Sequence, residues 1–316
     1  MAMLTLARTG SPMRSTQTED AVQVTSVPRQ SWVGWLPLVC LPIIACSLGK
    51  MLPPWGFMWT LAFSIYISLK WWTWWRVRSQ IPHPAWRSLA YLLAWPGMDA
   101  ESFLGASQSV QRPTWRSWLR AFFNTTLGAA FLWGVARAVP DDLPLLRGWI
   151  GMLGLILVLH FGSFEIVSLG WRRIGVDARP IMSAPLSSTS LTEFWGGRWN
   201  LGFRQLAHEL IFLPAQKSLG VGLAGFLVFV ASGLIHDLVI SVPARAGYGL
   251  PSGYFVLQGI GVAVERSSFG RQLGLRRGLR GWIFMAMFTA GPAFWLFHPA
   301  FVRTVMLPFM QAIRAL

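Results

Sequence analysis

Cysteine, lysine and acidic side chains are all scarce in this chain. Its two cysteines, Cys40 and Cys46, sit inside one apolar run, where a thiol is most often a small packing group, so neither a disulfide framework nor a thiolate metal spacing exists. Acidic residues number 12 against 27 basic ones, and arginine outnumbers lysine 24 to 3. Charged residues together make up only 12% of the 316 positions, well below the share in a soluble domain. No Gly-x-Ser-x-Gly turn, Gly-x-x-x-x-Gly-Lys loop or His-Glu-x-x-His helix occurs. These absences exclude the usual serine-hydrolase, P-loop and zincin chemistries. There is no long internal repeat, and no linker divides the apolar part of the chain into separate domains.

What is abundant is apolar surface. Hydrophobic residues make up 53% of the chain, with 19 Trp and 21 Phe, and this composition describes an integral membrane protein. Uncharged runs occupy residues 31–49, 51–69, 121–136, 148–164, 218–235, 246–264 and 281–302. Most match the roughly 20 residues that a helix needs to cross about 30 Å of hydrocarbon, and the third and fourth fall at or slightly below the short end. The expected fold is all-α: a polytopic transmembrane protein of about seven to eight spans, counting 304–316 as a short eighth, with amphipathic interfacial helices.

The net charge of +15 raises the question of nucleic acid, since a basic patch is the usual footprint of phosphate binding. Here the arginines lie in loops between spans and follow the positive-inside pattern, so no nucleic-acid partner is expected. Clusters at Lys70, Arg76, Arg78 and Arg87, at Arg112, Arg116 and Arg120, at 172–217 and at 266–280 all fall on one side, which the pattern assigns to the cytoplasm. The N-terminus falls on the same side. Residues 1–30, rich in Thr, Ser and Gln, precede a span with no cleavage pattern behind it. They read as a disordered tail ahead of one membrane domain at 31–316. The arginine excess suggests a GC-rich coding genome and a bacterial inner membrane.

Along the chain, Pro53 and Pro54 join the first two spans into a helical hairpin, and Lys70 to Arg76 supplies aromatic and basic residues suited to the headgroup layer. Residues 88–98 read as an interfacial or re-entrant helix, and 112–120 as an amphipathic lead-in to the third span. His160 and Glu165, near the end of the fourth span, are either helix-packing groups or members of a site. In the loop at 165–217, Phe203, Leu206, Ala207, Leu210 and Ile211 follow a helical period with Arg204, Gln205, His208 and Glu209 opposite. That pattern predicts a helix lying flat on the membrane face, with His208 solvated. His298 reads as an interfacial histidine.

Two stretches stand out from this background. Ser188-Thr-Ser-Leu-Thr-Glu-Phe-Trp-Gly-Gly-Arg-Trp-Asn200 is a polar and aromatic strip between hydrophobic runs, and Ser232-Gly-Leu-Ile-His-Asp-Leu238 places an imidazole at the end of an apolar span, where burying a titratable ring is costly. One buried histidine and one asparagine suffice for acyl transfer from a thioester, which is already activated and needs mainly a base for the alcohol proton and donors for the oxyanion.

These two stretches together resemble the signatures of membrane-bound O-acyltransferases, in their wax-synthase-like branch. The resemblance covers residues 183–266 well and the surrounding spans only in hydropathy. It implies that His236 is the catalytic histidine and Asn200 its polar partner. It further implies that acyl-CoA, a co-substrate with no other cofactor and no metal, donates its acyl chain to a fatty alcohol or another lipid-soluble hydroxyl acceptor. Trp195, Arg198 and Trp199 match the flanking motif and would shape the acyl-CoA passage, with Arg172, Arg173 and Arg179 as phosphate contacts and membrane lipid as the surrounding partner. The chain departs from many plant members at Gly197, where they carry a second basic residue, and at Gln258, where they carry histidine, so acceptor identity is not set. Transfer to a sugar, sterol or secondary-metabolite hydroxyl, and a noncatalytic lipid-binding or transport role, stay open. If the fifth span starts at Ser218, His236 lies about 27 Å along it at roughly 1.5 Å per residue, nearly across the bilayer. The helix must then be tilted or start in a recessed funnel, or the acceptor must arrive from the far side.

Overall fold

The computed structural model describes residues 32–106 and 110–316. The tail expected at 1–30 lies outside them. Among the described residues every regular element is a helix. The architecture is carried by α1 (Leu36–Leu48), α2 (Pro54–Val77), α3 (Ala85–Ala94), α4 (Trp115–Ala129), α5 (Pro144–Arg173), α6 (Leu201–Ala244), α7 (Leu250–Arg266), α8 (Gly278–Leu296) and α9 (Pro299–Ala312). Prolines open several of them, in the first turn, where a missing N–H breaks no intrahelical bond.

The apolar helices mark a membrane protein, but the span count expected from hydropathy is not met by helix length. Among the described residues α5 and α6, each holding an 18-residue stretch, of mean hydropathy 2.0 and 2.1 respectively, are long and apolar enough to cross a bilayer. A third span exists if α8 and α9, bent by 58° at their junction, count as one. The reason is visible in the other helices. α1 has 13 residues and α7 has 17, while α2, with 24, mixes Lys70 and Arg76 into its tryptophans.

Packing corrects three local expectations. The tryptophan-rich end of α2 is partly interior rather than a headgroup belt: Lys70, Trp72 and Thr73 are buried. Lys70 Nζ donates to the Gly97 carbonyl and lies 3.4 Å from the centroid of the Tyr91 ring, so its charge faces a carbonyl dipole and a π face instead of water. The C-terminal segment α9 is a core element, with Val302, Val305 and Met306 packed among Met58, Met152 and Ile240. His298 is buried rather than interfacial, because its Nδ1 accepts the Phe301 N–H at the start of α9.

α6 and α7 form the frame of the site. They run antiparallel, with Gly233 against Ser252 and Phe255 and Gly259 against Phe226 and Phe229. A Cβ on Gly233 would fall 2.8 Å from the Ser252 Cα, so only glycine lets the two backbones close next to His236. The long α6 is not continuous: Gly220, at φ 75°, ψ 167°, breaks it into an amphipathic first part and an apolar second part.

Candidate active site

The aromatic strip is held in place by a local sequence device and by the neighbouring helix α7. Ser190 caps a short helix by accepting the Glu193 N–H at 2.9 Å, while Glu193 reaches back to the Thr189 N–H at 2.7 Å, in the manner of a capping box. The Thr189 N–H and, beyond it, the Arg198 guanidinium at 2.7 Å hold the Glu193 carboxyl below its usual range, against a smaller opposing effect of burial. From α7, the fully buried Glu265 accepts the Leu191 and Thr192 N–H groups at 2.5 and 3.2 Å. Gln258, also on α7, accepts the Trp195 indole N–H at 3.2 Å. Beyond the strip Asn200 takes a left-handed conformation at φ 44°, which asparagine tolerates better than most residues, and its carbonyl starts α6 by accepting the Arg204 N–H.

His236 sits near the end of the apolar part of α6. Its Nδ1 lies 2.7 Å from the Ser232 carbonyl, which can only accept. The proton of the neutral ring is therefore on Nδ1, and Nε2 keeps a free lone pair. Phe255 of α7 packs on the imidazole at 4.4 Å between ring centroids. The next residue, Asp237, turns away from the imidazole's partners and accepts hydrogen bonds from Ser241, Gly249 and Ser252.

Strip, α6 and α7 border an open cavity of about 580 Å³ whose wall includes both Asn200 and His236. Trp195, Trp199, Phe226, Phe229 and Phe255 make it largely apolar, and its size suits a small-molecule site. α6 lines it from Val221 to His236, a run of about 22 Å at roughly 1.5 Å per residue. The depth of His236 along the helix is thus spanned by the cavity itself. Arg204, His208 and Arg266, all exposed, also belong to its wall, and Arg266, the last residue of α7, lies at the end of that antiparallel helix remote from His236.

Of the residues singled out in the sequence, His236, Asn200, Trp195 and Trp199 are brought together around this cavity, and the four arginines are not. Arg198 is spent on Glu193 and the carbonyl of Ser183. Arg179 pairs with Asp99 and Asp177, and Arg172 donates to the Gln111 carbonyl. Arg173 is exposed away from the cavity wall. Arg204 and Arg266 were missed as candidates, and His208, exposed as expected, also lines the cavity. The amphipathic period around 203–211 identified the helix but not the wall its polar face meets. His160 stacks on Trp199 at 6.3 Å, behind the wall rather than in it.

The profile of the membrane bound O-acyl transferase family matches residues 178–257, which run from just ahead of the strip to beyond His236. In that stretch the chain is similar to this family. Part of the chain also aligns with named plant proteins. It is 30% identical over 146 residues to a probable long-chain-alcohol O-fatty-acyltransferase 7 of Arabidopsis thaliana, covering 41% of this chain and 42% of that protein. It is 32% identical over 144 residues to a long-chain-alcohol O-fatty-acyltransferase of Simmondsia chinensis, covering 41% and 40%. An acyl-CoA–sterol O-acyltransferase 1 of Arabidopsis thaliana aligns at 27% over 145 residues, covering 40% of each protein. The matched part of this chain spans about two fifths of the length of these relatives.

Proposed function

We propose that the protein is an acyl-CoA-dependent O-acyltransferase that esterifies a long-chain alcohol in the chamber between α6, α7 and the aromatic strip. The observation that carries this reading is that Asn200 and His236, one from each signature stretch, line the same largely apolar cavity. The names of the plant relatives support the same acceptor class. In the proposed reaction the alcohol gives its proton to Nε2 of His236 as its oxygen attacks the thioester carbonyl carbon. The carboxamide N–H of Asn200 donates to the oxyanion. The C–S bond then breaks, the ester forms, and the departing CoA thiolate takes the proton back from the imidazolium, which restores the neutral base. The reading calls for no metal and no cofactor beyond the acyl-CoA co-substrate.

The test supplies purified protein with labelled palmitoyl-CoA and a panel of dodecanol, hexadecanol, a sterol and a sugar. Ester and free CoA are expected in equal amounts from the long-chain alcohols. Product from the sterol alone would favour the second reading, motivated by the sterol-acylating relative. Absence of any ester would leave a noncatalytic lipid-binding role.

Arg204 and Arg266 take the part of phosphate contacts in this reading, since both are exposed cations on the cavity wall. Replacing both with alanine is expected to raise KM for acyl-CoA about tenfold, as loss of charge-assisted contacts to phosphate would, with kcat changed far less. Equal KM values in variant and wild type would place the CoA head elsewhere. We further infer that the N-terminus and the basic face lie in the cytoplasm, as the positive-inside pattern of the arginines supports. The 24 arginines against 3 lysines support a bacterial inner membrane.

A further inference from the structure

Gln258 lies on α7 with none of its surface exposed, in a layer that is otherwise aromatic. A buried carboxamide has to satisfy both of its ends. Here Nε2 donates to the Phe288 carbonyl of α8 at 2.6 Å, and Oε1 accepts the Trp195 indole N–H at 3.2 Å. The partners fix the orientation of the amide. A carbonyl only accepts and an indole N–H only donates, so the nitrogen must face α8 and the oxygen must face the strip.

Trp195 passes this constraint into the chamber. Its ring meets Phe229 edge-on at 6.1 Å and leans on Phe255 at 5.6 Å, and Phe255 is the ring packed against His236. All three aromatic rings line the cavity, whereas Gln258 stands behind them. Without the amide, the indole N–H and the Phe288 carbonyl would both be buried without a partner. The indole, free to turn about its two side-chain torsions, would then leave its present position in search of one.

We propose that Gln258 is a positioning residue that determines acceptor selectivity: by anchoring the Trp195 indole, it sets the shape of the cavity wall beside His236. This inference rests on the acyl-transfer reading above. It concerns which chains fit next to the imidazole rather than whether transfer occurs.

The experiment compares wild type, Gln258→Met and Gln258→His on hexadecanol and on a bulkier secondary alcohol, with palmitoyl-CoA as donor. The readout is the ratio of kcat/KM for the two alcohols, which does not depend on the fraction of protein that is folded. Methionine fills the space and keeps neither bond. Neutral histidine has one N–H and one lone pair, the donor and acceptor that this position requires. The ratio is expected to shift roughly tenfold in Gln258→Met and to stay within about twofold of wild type in Gln258→His. Should Gln258→Met fail to fold, Gln258→Asn, which draws the amide back by one methylene, carries the same expected shift. An unchanged ratio in the methionine or asparagine variant, or a histidine variant displaced as far as they are, overturns the inference alone. Absence of ester from wild type with both alcohols overturns the acyl-transfer reading and this inference with it.

Discussion

Replacing His236 with alanine is expected to lower ester formation by about 10²- to 10⁴-fold, the range over which a positioned general base acts. The expectation follows from the tautomer. Because the Ser232 carbonyl holds the Nδ1 proton at 2.7 Å, Nε2 is the only basic atom of the ring, and no other histidine is placed to replace it. His160 stands behind Trp199, and the exposed His208 is on the first part of α6, before the break at Gly220 that separates it from His236. Alanine at 236 enlarges an existing cavity and leaves no buried charge, so the fold should persist and acyl-CoA should still bind. Release of free CoA in a single turnover, measured beside acyl-CoA binding, separates loss of chemistry from loss of substrate. Turnover equal to wild type would remove His236 from the mechanism.

Removal of the neighbouring carboxylate should act on stability first. Asp237 accepts from the Ser241 hydroxyl and the Gly249 N–H at 2.9 Å, from the Ser252 N–H at 3.0 Å, and from the Ser252 hydroxyl. These bonds tie the end of α6 to the turn that follows and to the first turn of α7. Asp237→Ala leaves four donors without their acceptor, two of them backbone N–H groups. With hydrogen bonds to a charged group contributing about 1.5–3 kcal/mol each and their sum falling short of additive, the expected destabilisation is about 3 kcal/mol. Thermal unfolding in detergent measures it, and Ser252→Ala, which removes one hydroxyl, should show a smaller drop in the midpoint. Activity should fall as well, because Gly233 and His236 keep their distance from α7 through this junction. An Asp237→Ala protein that melts with wild type would show that the turn is held by other contacts.

Much of the site was legible because its two halves are local patterns. Ser190 and Glu193 form a capping signature readable from spacing, the strip is set off by its composition, and His236 is conspicuous in an apolar run. The arginines were not legible in the same way. Arg172, Arg179 and Arg198 look like free cations in the sequence, yet in the fold each is engaged by a carboxylate or a carbonyl. Arg204 and Arg266 belong to different helices far apart in the chain, and only the fold brings both onto the wall of one cavity.

Composition and hydropathy alone determined that this is a helical membrane protein, because the preference of apolar side chains for hydrocarbon accumulates residue by residue and needs no knowledge of neighbours. Local pattern likewise identified the strip and the imidazole. Tertiary structure alone decided that these two stretches share a chamber, that Glu265 and Gln258 hold its wall, and that Lys70 and α9 lie inside the packing. Each of those facts depends on which polar group finds a partner across the fold. A buried donor or acceptor must be satisfied by whatever the packing presents, and one-dimensional spacing does not specify that partner.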